Sequence, residues 1–207
     1  MNLFEYQAKE AFRECGITTP RGVLVRSVEE LDAVFAETGF PCVLKSQVLR
    51  GGRGKAGLIR VAGDAETGKK EAGELFASAH SVRMLLVEQA VDIAREIYLS
   101  MTVDPVSGTA LLMGCAEGGV DIESLAATQP EKIVRVHVDM AEGLGGYHVN
   151  NLIYGMGLSG EEAKQVGAAA RGLYKVFRAR DAQLAEINPL FITKDGQAVA
   201  GDGKLII

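Results

Sequence analysis

The chain has 207 residues, of which 47% are hydrophobic and 24% charged, with a formal net charge of −5. These values are typical of a globular protein with one sizeable core or two small ones, and they exclude a disordered chain. They also argue against a non-specific nucleic-acid binder, because no lysine- and arginine-rich face accompanies the negative charge. Three separated cysteines predict neither a disulfide framework nor a zinc site. No apolar run approaches membrane-spanning length, so we expect no membrane association and a cytoplasmic location.

Two short helices are predicted near the start of the chain. Apolar residues recur at helical spacing between Phe4 and Cys15, and Gly16 stands where a C-terminal cap belongs. Further on, Ser27-x-x-Glu30 has the spacing of a capping box, in which the two side chains satisfy backbone amides at the start of a helix. The second predicted helix follows this box and ends near residue 39.

A glycine-rich stretch lies between two β-like runs at residues 40–61, which read F-P-C-V-L-K-S-Q-V-L-R-G-G-R-G-K-A-G-L-I-R-V. Lys45 ends the first run, and Arg53 and Lys55 are interleaved with the glycines. Glycine permits positive φ and close backbone approach, so main-chain N–H groups can surround an anion while the cations supply compensating charge. The stretch therefore predicts a polyphosphate site, the alternative being a tight hairpin whose cations face water.

This stretch matches G-x-G-x-x-G at Gly52, Gly54 and Gly57, but its context differs from that of a dinucleotide-binding motif. Such a motif opens a helix after its strand, whereas Leu58 to Val61 favour a second strand. We therefore predict a glycine-rich hairpin. The sequence contains no Walker A motif and neither the H-R-D nor the D-F-G motif of protein kinases.

The rest of the chain alternates between helices and mostly antiparallel strands. Asp64 is predicted to cap a third helix, and Ser159 with Glu162 forms another capping box ahead of the longest helix. Strands are predicted at 84–87, 96–103, 110–115, 133–138, 185–193 and 198–207, with 142–147 irregular. We expect an α+β fold with two lobes, one of about 20–90 and one of about 1–19 plus 91–207.

The last two predicted strands carry oxygen ligands that magnesium prefers. Glu186 and Asn188 share one strand face, and a turn near residue 195 would place Asp202 roughly opposite Asn188. The alternative is that Asn188-Pro189 limits the strand and Asp202-Gly203 makes a turn. Burying polar groups among the neighbouring apolar residues would be costly without a partner, which favours the metal site.

Two other glutamates are candidates for binding an adenine amine or a ribose hydroxyl. Glu88 closes the apolar run 85–87, and Glu96 begins the next strand. Solvent exposure is the more common explanation for isolated glutamates at strand ends. The three histidines, His80, His137 and His148, stand beside no cysteine or serine nucleophile pattern, so we expect structural roles for them.

Several motifs together resemble the β subunit of succinyl-CoA synthetase (succinate-CoA ligase), in order and across the entire chain. They are M-N-L-F-E-Y-Q-A-K-E, G-G-R-G-K-A-G, V-E-Q-A-x-D-I-A-R-E-I-Y, A-E-G-G-V-D-I-E, E-I-N-P-L and G-D-G-K-L. The resemblance implies the ATP-grasp domain of that family, with Mg²⁺ and ATP, or GTP, held between two α+β lobes. It also implies a ligase of the tricarboxylic acid cycle that joins succinate to CoA through a phosphohistidine on an α partner.

The same resemblance implies roles for individual residues. Lys45 would contact the nucleotide phosphates, and Asn188 and Asp202 would ligate magnesium. Glu186 would be the catalytic residue that faces the phosphohistidine loop of the succinyl-CoA synthetase α subunit, or of an α-like domain. The phosphate loop would comprise Gly52, Arg53 and Gly54, and the base and ribose pocket Glu88, Val91 and Glu96.

Subunits of this family continue beyond the segment that matches Gly201 to Leu205 into a second, CoA-ligase domain. We expect that domain to be absent here, so the chain alone would not complete the reaction. Two alternatives stay open: the corresponding part of a malate-CoA ligase, and a non-catalytic module that binds nucleotide without transferring phosphate. The expected ligands are ATP and ADP rather than nucleic acid.

Overall fold

The computed structural model describes all residues, 1–207, and the chain divides into two compact units. The small unit is Pro20–Val91, and the large unit combines Met1–Thr19 with Asp92–Ile207. Both units contain antiparallel sheets and helices, so the predicted α+β composition is confirmed. None of the helices is long and apolar enough to cross a bilayer.

The elements are numbered in chain order. The helices are α1 Glu5–Glu14, α2 Leu31–Thr38, α3 Ala65–Phe76, α4 Ile122–Thr128, α5 Gly146–Gly155 and α6 Gly160–Ala179. The strands are β1 Gly22–Val25, β2 Cys42–Ser46, β3 Ile59–Ala62, β4 Leu85–Gln89, β5 Ile93–Asp104, β6 Thr109–Cys115, β7 Val134–Val138, β8 Leu184–Thr193, β9 Ala198–Ala200 and β10 Gly203–Ile206. Short 3-10 turns precede α2 and β7.

The small unit is a four-stranded antiparallel sheet in the order β1-β4-β2-β3, packed against α2 and α3. Alternate residues of β2 enter its core because successive side chains of a strand point to opposite faces. Cys42 and Leu44 are wholly buried there, beside Leu31 of α2 and Ala72 of α3. Lys45 consequently lies on the opposite side of β2 from this core.

The large unit is built on a sheet in the order β10-β8-β5-β6-β7, with β9 paired to β8. Helices α1, α5 and α6 bury its main core, which takes Leu99 and Met101 from β5. Tyr98 directly precedes Leu99 in the same strand, so its side chain lies on the opposite face, where it packs with Leu125 of α4 in a separate small cluster. Because the side chains alternate, this second face carries the polar residues of β5 and β8.

Several local predictions are confirmed, and two capping boxes are wrong. The glycine stretch joins two antiparallel strands, β2 and β3, and the Asp64 side chain accepts a hydrogen bond from the Thr67 amide at 2.8 Å. Neither Ser27 nor Ser159 caps its helix with its side chain. Glu162 instead accepts a hydrogen bond from Arg95 at 3.0 Å, because a distant cation competes with the local backbone for the carboxylate.

The structure also corrects three segment boundaries. The sequence analysis missed α4, and it missed α5, which begins at Gly146 inside the stretch predicted to be irregular. A histidine ring stabilises that helix start, since His148 Nδ1 accepts the Gly145 N–H at 2.9 Å. The single strand predicted over 198–207 is interrupted at Gly201 and Asp202, which form a corner between β9 and β10.

Candidate functional site

In the small unit, Lys45 forms a buried ion pair with Glu88. Lys45 Nζ lies 2.8 Å from Glu88 Oε2, and their side chains are 9% and 3% exposed. The pair bridges the neighbouring strands β2 and β4, in which Val43 lies opposite Glu88. Solvent exposure was the more common expectation for Glu88, and it is wrong. Two predicted ligand-binding residues are therefore in direct contact within one sheet.

The glycine loop after β2 is a folded turn. Gly52 has a φ of +68°, and its carbonyl accepts a hydrogen bond from the Ala56 amide at 3.0 Å. Arg53 is buried and donates to the Ser46 carbonyl at 3.1 Å, so the alternative that both loop cations face water is wrong for Arg53. No hydrogen bond engages the amides of Gly52 and Gly54.

The residues predicted for the base and ribose pocket come from both units. Glu88 and Val91 belong to the end of the small unit, whereas Glu96 lies in β5 of the large unit. Glu96 is next to a glycine loop, where a Cβ atom at Gly119 would lie only 2.2 Å from Glu96 Oε2. The Gly118 amide also donates to the Glu96 carbonyl at 2.9 Å. Glycine at these positions therefore lets the loop pack against Glu96.

The predicted magnesium ligands are adjacent in the large unit. The backbone N–H of Asn188 donates to the backbone carbonyl of Asp202 at 3.2 Å. Asp202 therefore lies opposite Asn188, as the predicted turn near residue 195 implies. The Asn188 side chain is held on both sides, because Oδ1 accepts from the Gly119 amide at 2.9 Å and Nδ2 donates to the Val120 carbonyl at 3.0 Å. A carboxylate and an amide oxygen are hard donors that suit Mg²⁺, so the residues present fit the ion.

Glu186 lies two residues before Asn188 in β8, on a polar patch of the second sheet face. Tyr98 donates to Ser100 Oγ at 2.8 Å and lies 3.4 Å from Glu186 Oε2. Burial raises the pKa of Glu186 above its ordinary value, and the negative charges of Glu123 and Asp202 add to the effect. Lys204 and the Tyr98 hydroxyl oppose it. Such a carboxyl group can exchange a proton closer to neutral pH than an exposed one.

Burial also raises the pKa of the Tyr98 hydroxyl, and the neighbouring Glu186 charge raises it further. Tyr98 therefore stays protonated and remains a hydrogen-bond donor beside Glu186. The sequence analysis missed this residue, because a tyrosine within an apolar strand gives no signal that its hydroxyl meets a carboxylate from β8.

The sequence analysis also missed a buried charge pair in α1. Lys9 Nζ lies 2.9 Å from Glu5 Oε1, with side chains 1% and 2% exposed, and it donates to the Gly201 carbonyl at 2.8 Å. Glu and Lys at i and i+4 share one helix face, which is the only local signal for the pair. That signal is usually seen on exposed helix faces and does not indicate burial.

The histidines make local contacts. His148 caps α5 as described, and His80 Nδ1 lies 3.2 Å from Arg50. His137 lies 3.7 Å from Asp104 and 3.1 Å from Thr109. His137 Nδ1 also lies 3.4 Å from the Ser107 hydroxyl, which donates to Asp104, so the ring belongs to an exposed polar cluster at the β5–β6 turn.

Comparison with known protein families identifies the class of protein. Residues 2–192 match the ATP-grasp domain family, so the chain belongs to the ATP-grasp family. The fold class predicted from the sequence and the resemblance to succinate-CoA ligase β subunits are both confirmed.

Among curated proteins, the chain is similar over its whole length to subunits of ADP-forming acid-CoA ligases. It is 76% identical over 207 residues to the ADP-forming sulfoacetate-CoA ligase subunit SauC of Bilophila wadsworthia, covering 56% of that protein. It is 44% identical over 210 residues to the ADP-forming succinate-CoA ligase subunit beta of Rubrobacter xylanophilus, covering 55% of it. The chain thus spans about half the length of the curated relatives that it matches.

Solved structures show the same fold. A protein from Pyrococcus horikoshii superposes with a TM-score of 0.82 at 20% identity, over 99% of this chain and 91% of that one. The dinucleotide-forming acetyl-coenzyme A synthetase 1 of Ca. Korarchaeum cryptofilum, in complex with coenzyme A and Ca-AMPCP, gives a TM-score of 0.80 at 18% identity. That alignment covers 100% of this chain and 93% of the other.

Proposed function

We propose that the chain is the nucleotide-binding, phosphoryl-transferring part of an ADP-forming acid-CoA ligase, and that sulfoacetate is the acid used by the whole protein. The observation that carries the choice of acid is the 76% identity to the Bilophila sulfoacetate-CoA ligase subunit. Identities in the forties do not separate the acids. A sulfoacetate-CoA ligase subunit from Acholeplasma is 42% identical and a succinate-CoA ligase β subunit 44% identical to this chain.

In this proposal the small unit binds the phosphates. The Lys45 ammonium and the amides of Gly52 and Gly54 supply positive charge and N–H donors to phosphate oxygens. Arg53 holds the loop through its bond to the Ser46 carbonyl. Glu88 keeps Lys45 in place, and Glu88, Val91 and Glu96 contact the base and ribose.

The large unit supplies the remaining groups. Asn188 and Asp202 would hold Mg²⁺, which when bound neutralises charge on the phosphate oxygens. Glu186 would accept and hold a proton from the imidazole of a histidine on the partner subunit, so that the ring nitrogen is free to receive the phosphoryl group. Its raised pKa suits it to that exchange, because a base works best when its pKa lies near the operating pH.

The acid is tested with the complete protein and its partner subunit. ADP formation from ATP and CoA would be measured with sulfoacetate, succinate and malate in turn. We expect the highest kcat/KM with sulfoacetate. A higher kcat/KM with succinate would instead favour the second candidate, succinate-CoA ligase, which rests on the 44% identity across the chain. Substituting GTP for ATP in the same assay measures the base preference.

The assignment as an enzyme is tested by labelling. The partner subunit would be incubated with this protein, Mg²⁺ and ATP radioactive at the γ-phosphate. We expect acid-labile label on the partner and none when Glu186→Gln replaces the natural chain. A partner that never becomes labelled would leave a nucleotide-binding module without transfer activity and would contradict the proposal.

A further inference from the structure

Helix α1 contacts the corner between β9 and β10, although the two segments are separated by nearly the whole length of the sequence. The buried Lys9 ammonium donates to the Gly201 carbonyl at 2.8 Å. One turn further along α1, the Phe12 ring covers Gly203, where a Cβ atom would lie 2.5 Å from the ring. These two contacts flank Asp202 on either side. The helix therefore fixes the backbone immediately before and after this residue.

The contact at Gly201 bears directly on the position of Asp202. The carbonyl that Lys9 binds belongs to the peptide group that also contains the Asp202 nitrogen, and a peptide group is planar. Orienting the carbonyl therefore orients the backbone from which the Asp202 carboxylate extends. Gly201 is confined from its other side as well, because a Cβ atom there would lie 2.3 Å from the Phe191 ring.

An apolar contact would hold the corner with a smaller desolvation penalty than a buried charge. Removing an ammonium group from water is expensive, and Glu5 offsets that expense only because it is buried within 2.9 Å of Lys9. The result is a charge-assisted hydrogen bond, which is shorter and stronger than a neutral one. This arrangement suits a site where small displacements of an oxygen ligand matter.

We propose that Lys9, held by Glu5, is a positioning residue for the metal site: by fixing the Gly201 peptide it sets the Asp202 carboxylate in the geometry that Mg²⁺ requires. The inference rests on the proposed function, in which Asp202 is a magnesium ligand. Neither Lys9 nor Glu5 contacts the ion or the nucleotide in this proposal. Outer residues that orient metal ligands typically change metal affinity by about 10- to 100-fold when substituted.

The test removes both charges together. The double variant Glu5→Leu with Lys9→Met keeps the net charge and removes both charges of the buried pair, so we expect it to fold. The 207-residue chain would be titrated with ADP by calorimetry, once in EDTA and once at increasing Mg²⁺. We expect the Mg²⁺ concentration required for half of the gain in affinity to rise about 10-fold or more, while ADP affinity in EDTA stays unchanged.

A matched control separates positioning from loss of stability. Leu152→Ala removes a wholly buried side chain from α5, which packs on β7, at the edge of the sheet opposite β10. We expect this variant to be destabilised and to keep the natural Mg²⁺ dependence. A second variant, Phe12→Leu, keeps both charges and loosens the same corner, and it should shift the Mg²⁺ dependence in the same direction.

A thermodynamic cycle with Asp202→Asn completes the test. If Lys9 acts through Asp202, the double variant should cause no further shift in Mg²⁺ dependence once Asp202 is replaced. An unchanged Mg²⁺ dependence in the double variant, or a shift equal to that of Leu152→Ala, would overturn the inference alone. A natural chain that binds ADP with no response to Mg²⁺ would instead overturn the proposed function, and the inference with it.

Discussion

Each unit of the protein contains one buried lysine–glutamate pair, and the two pairs differ in their access to solvent. In the small unit, Lys45 and Glu88 lie on neighbouring strands, 2.8 Å apart, with 9% of the lysine side chain exposed. In the large unit, Lys9 and Glu5 lie one turn apart on α1, 2.9 Å apart, with 1% of the lysine exposed. In the proposed function a ligand phosphate shares the Lys45 ammonium with Glu88, whereas the Lys9 ammonium binds the Gly201 carbonyl.

This difference shows how a buried cation is used in two ways. Lys45 stands beside a loop whose Gly52 and Gly54 amides have no acceptor, and in the proposed function its charge and these amides bind the phosphates. Lys9 instead has a carbonyl acceptor at Gly201, in the peptide before a predicted metal ligand. Burying a charge is unfavourable in both places. In the proposed function the Lys45 ammonium binds a phosphate oxygen of the ligand, whereas the Lys9 ammonium binds a carbonyl oxygen of its own chain.

Replacing either lysine should produce the largest losses of stability. Lys45→Met and Lys9→Met each remove the cation beside a buried carboxylate, which typically costs about 3–5 kcal/mol. Urea denaturation would measure the loss of stability in each. In EDTA, Lys45→Met should also weaken ADP binding much more than adenosine binding, whereas Lys9→Met should leave ADP affinity unchanged.

Removing each glutamate as well separates the loss of stability from the loss of ligand binding. Adding Glu88→Leu to Lys45→Met should restore most of the stability but not the ADP affinity. Adding Glu5→Leu to Lys9→Met should restore stability while ADP affinity in EDTA was never lost. Equal losses for ADP and adenosine in Lys45→Met would place that lysine away from the phosphates.

Removing the predicted metal ligand should have a smaller effect that depends on the ion. Asp202→Ala is expected to weaken Mg²⁺-dependent nucleotide binding by about 1–3 kcal/mol, because it deletes a charged ligand interaction. Calorimetry with and without Mg²⁺ measures the difference. Unchanged affinity at saturating Mg²⁺ would exclude Asp202 as a ligand.

Glu186→Gln should increase stability while abolishing transfer to the partner. The pKa of Glu186 is raised in the folded chain, so its proton is bound more tightly than in the unfolded chain, and stability falls as pH rises through the folded pKa. At neutral pH, glutamine removes the cost of the buried charge, and single stabilising substitutions typically gain about 0.5–2 kcal/mol. Denaturation in EDTA at neutral and acidic pH is the measurement. The gain should shrink at acidic pH, where the natural carboxyl group is already protonated, and a gain that grows there would contradict the assignment.

The smallest effect is expected at an exposed pair on α6. Lys164 Nζ lies 3.0 Å from Glu161 Oε2, with 75% of the lysine side chain exposed. Exposed pairs are screened by solvent and contribute little. Lys164→Met should therefore leave both the urea midpoint and ADP affinity unchanged, and a shift comparable to that of Lys9→Met would remove the distinction between buried and exposed pairs.

The parts of the site that depend on local pattern were predictable from the sequence. The glycine hairpin followed from β-like residues on both sides of the loop, and the adjacency of Asn188 and Asp202 followed from strand alternation and the turn position. The sequence motifs identified the ATP-grasp fold. These features depend on residues close to one another in sequence, whose geometry a strand or turn fixes.

The features that the sequence did not reveal depend on distant partners. Glu162 has the local spacing of a capping box, but Arg95, 67 residues earlier, binds its carboxylate. Lys9 has an ordinary helical ion-pair spacing, and its burial depends on Gly201, 192 residues later. Tyr98 meets Glu186 across 88 residues. A single sequence carries no local signal of such contacts.

The reach of α1 to the β9–β10 corner has a consequence for synthesis of the protein. The small unit is continuous, Pro20–Val91, so all of its residues are translated before the second part of the large unit. Lys9 is translated 192 residues before its acceptor at Gly201. Contacts of such long separation form slowly, because loop closure costs entropy before the contact forms. Helix α1 must therefore remain without its partners at Gly201 and Gly203 until the β9–β10 corner has been translated.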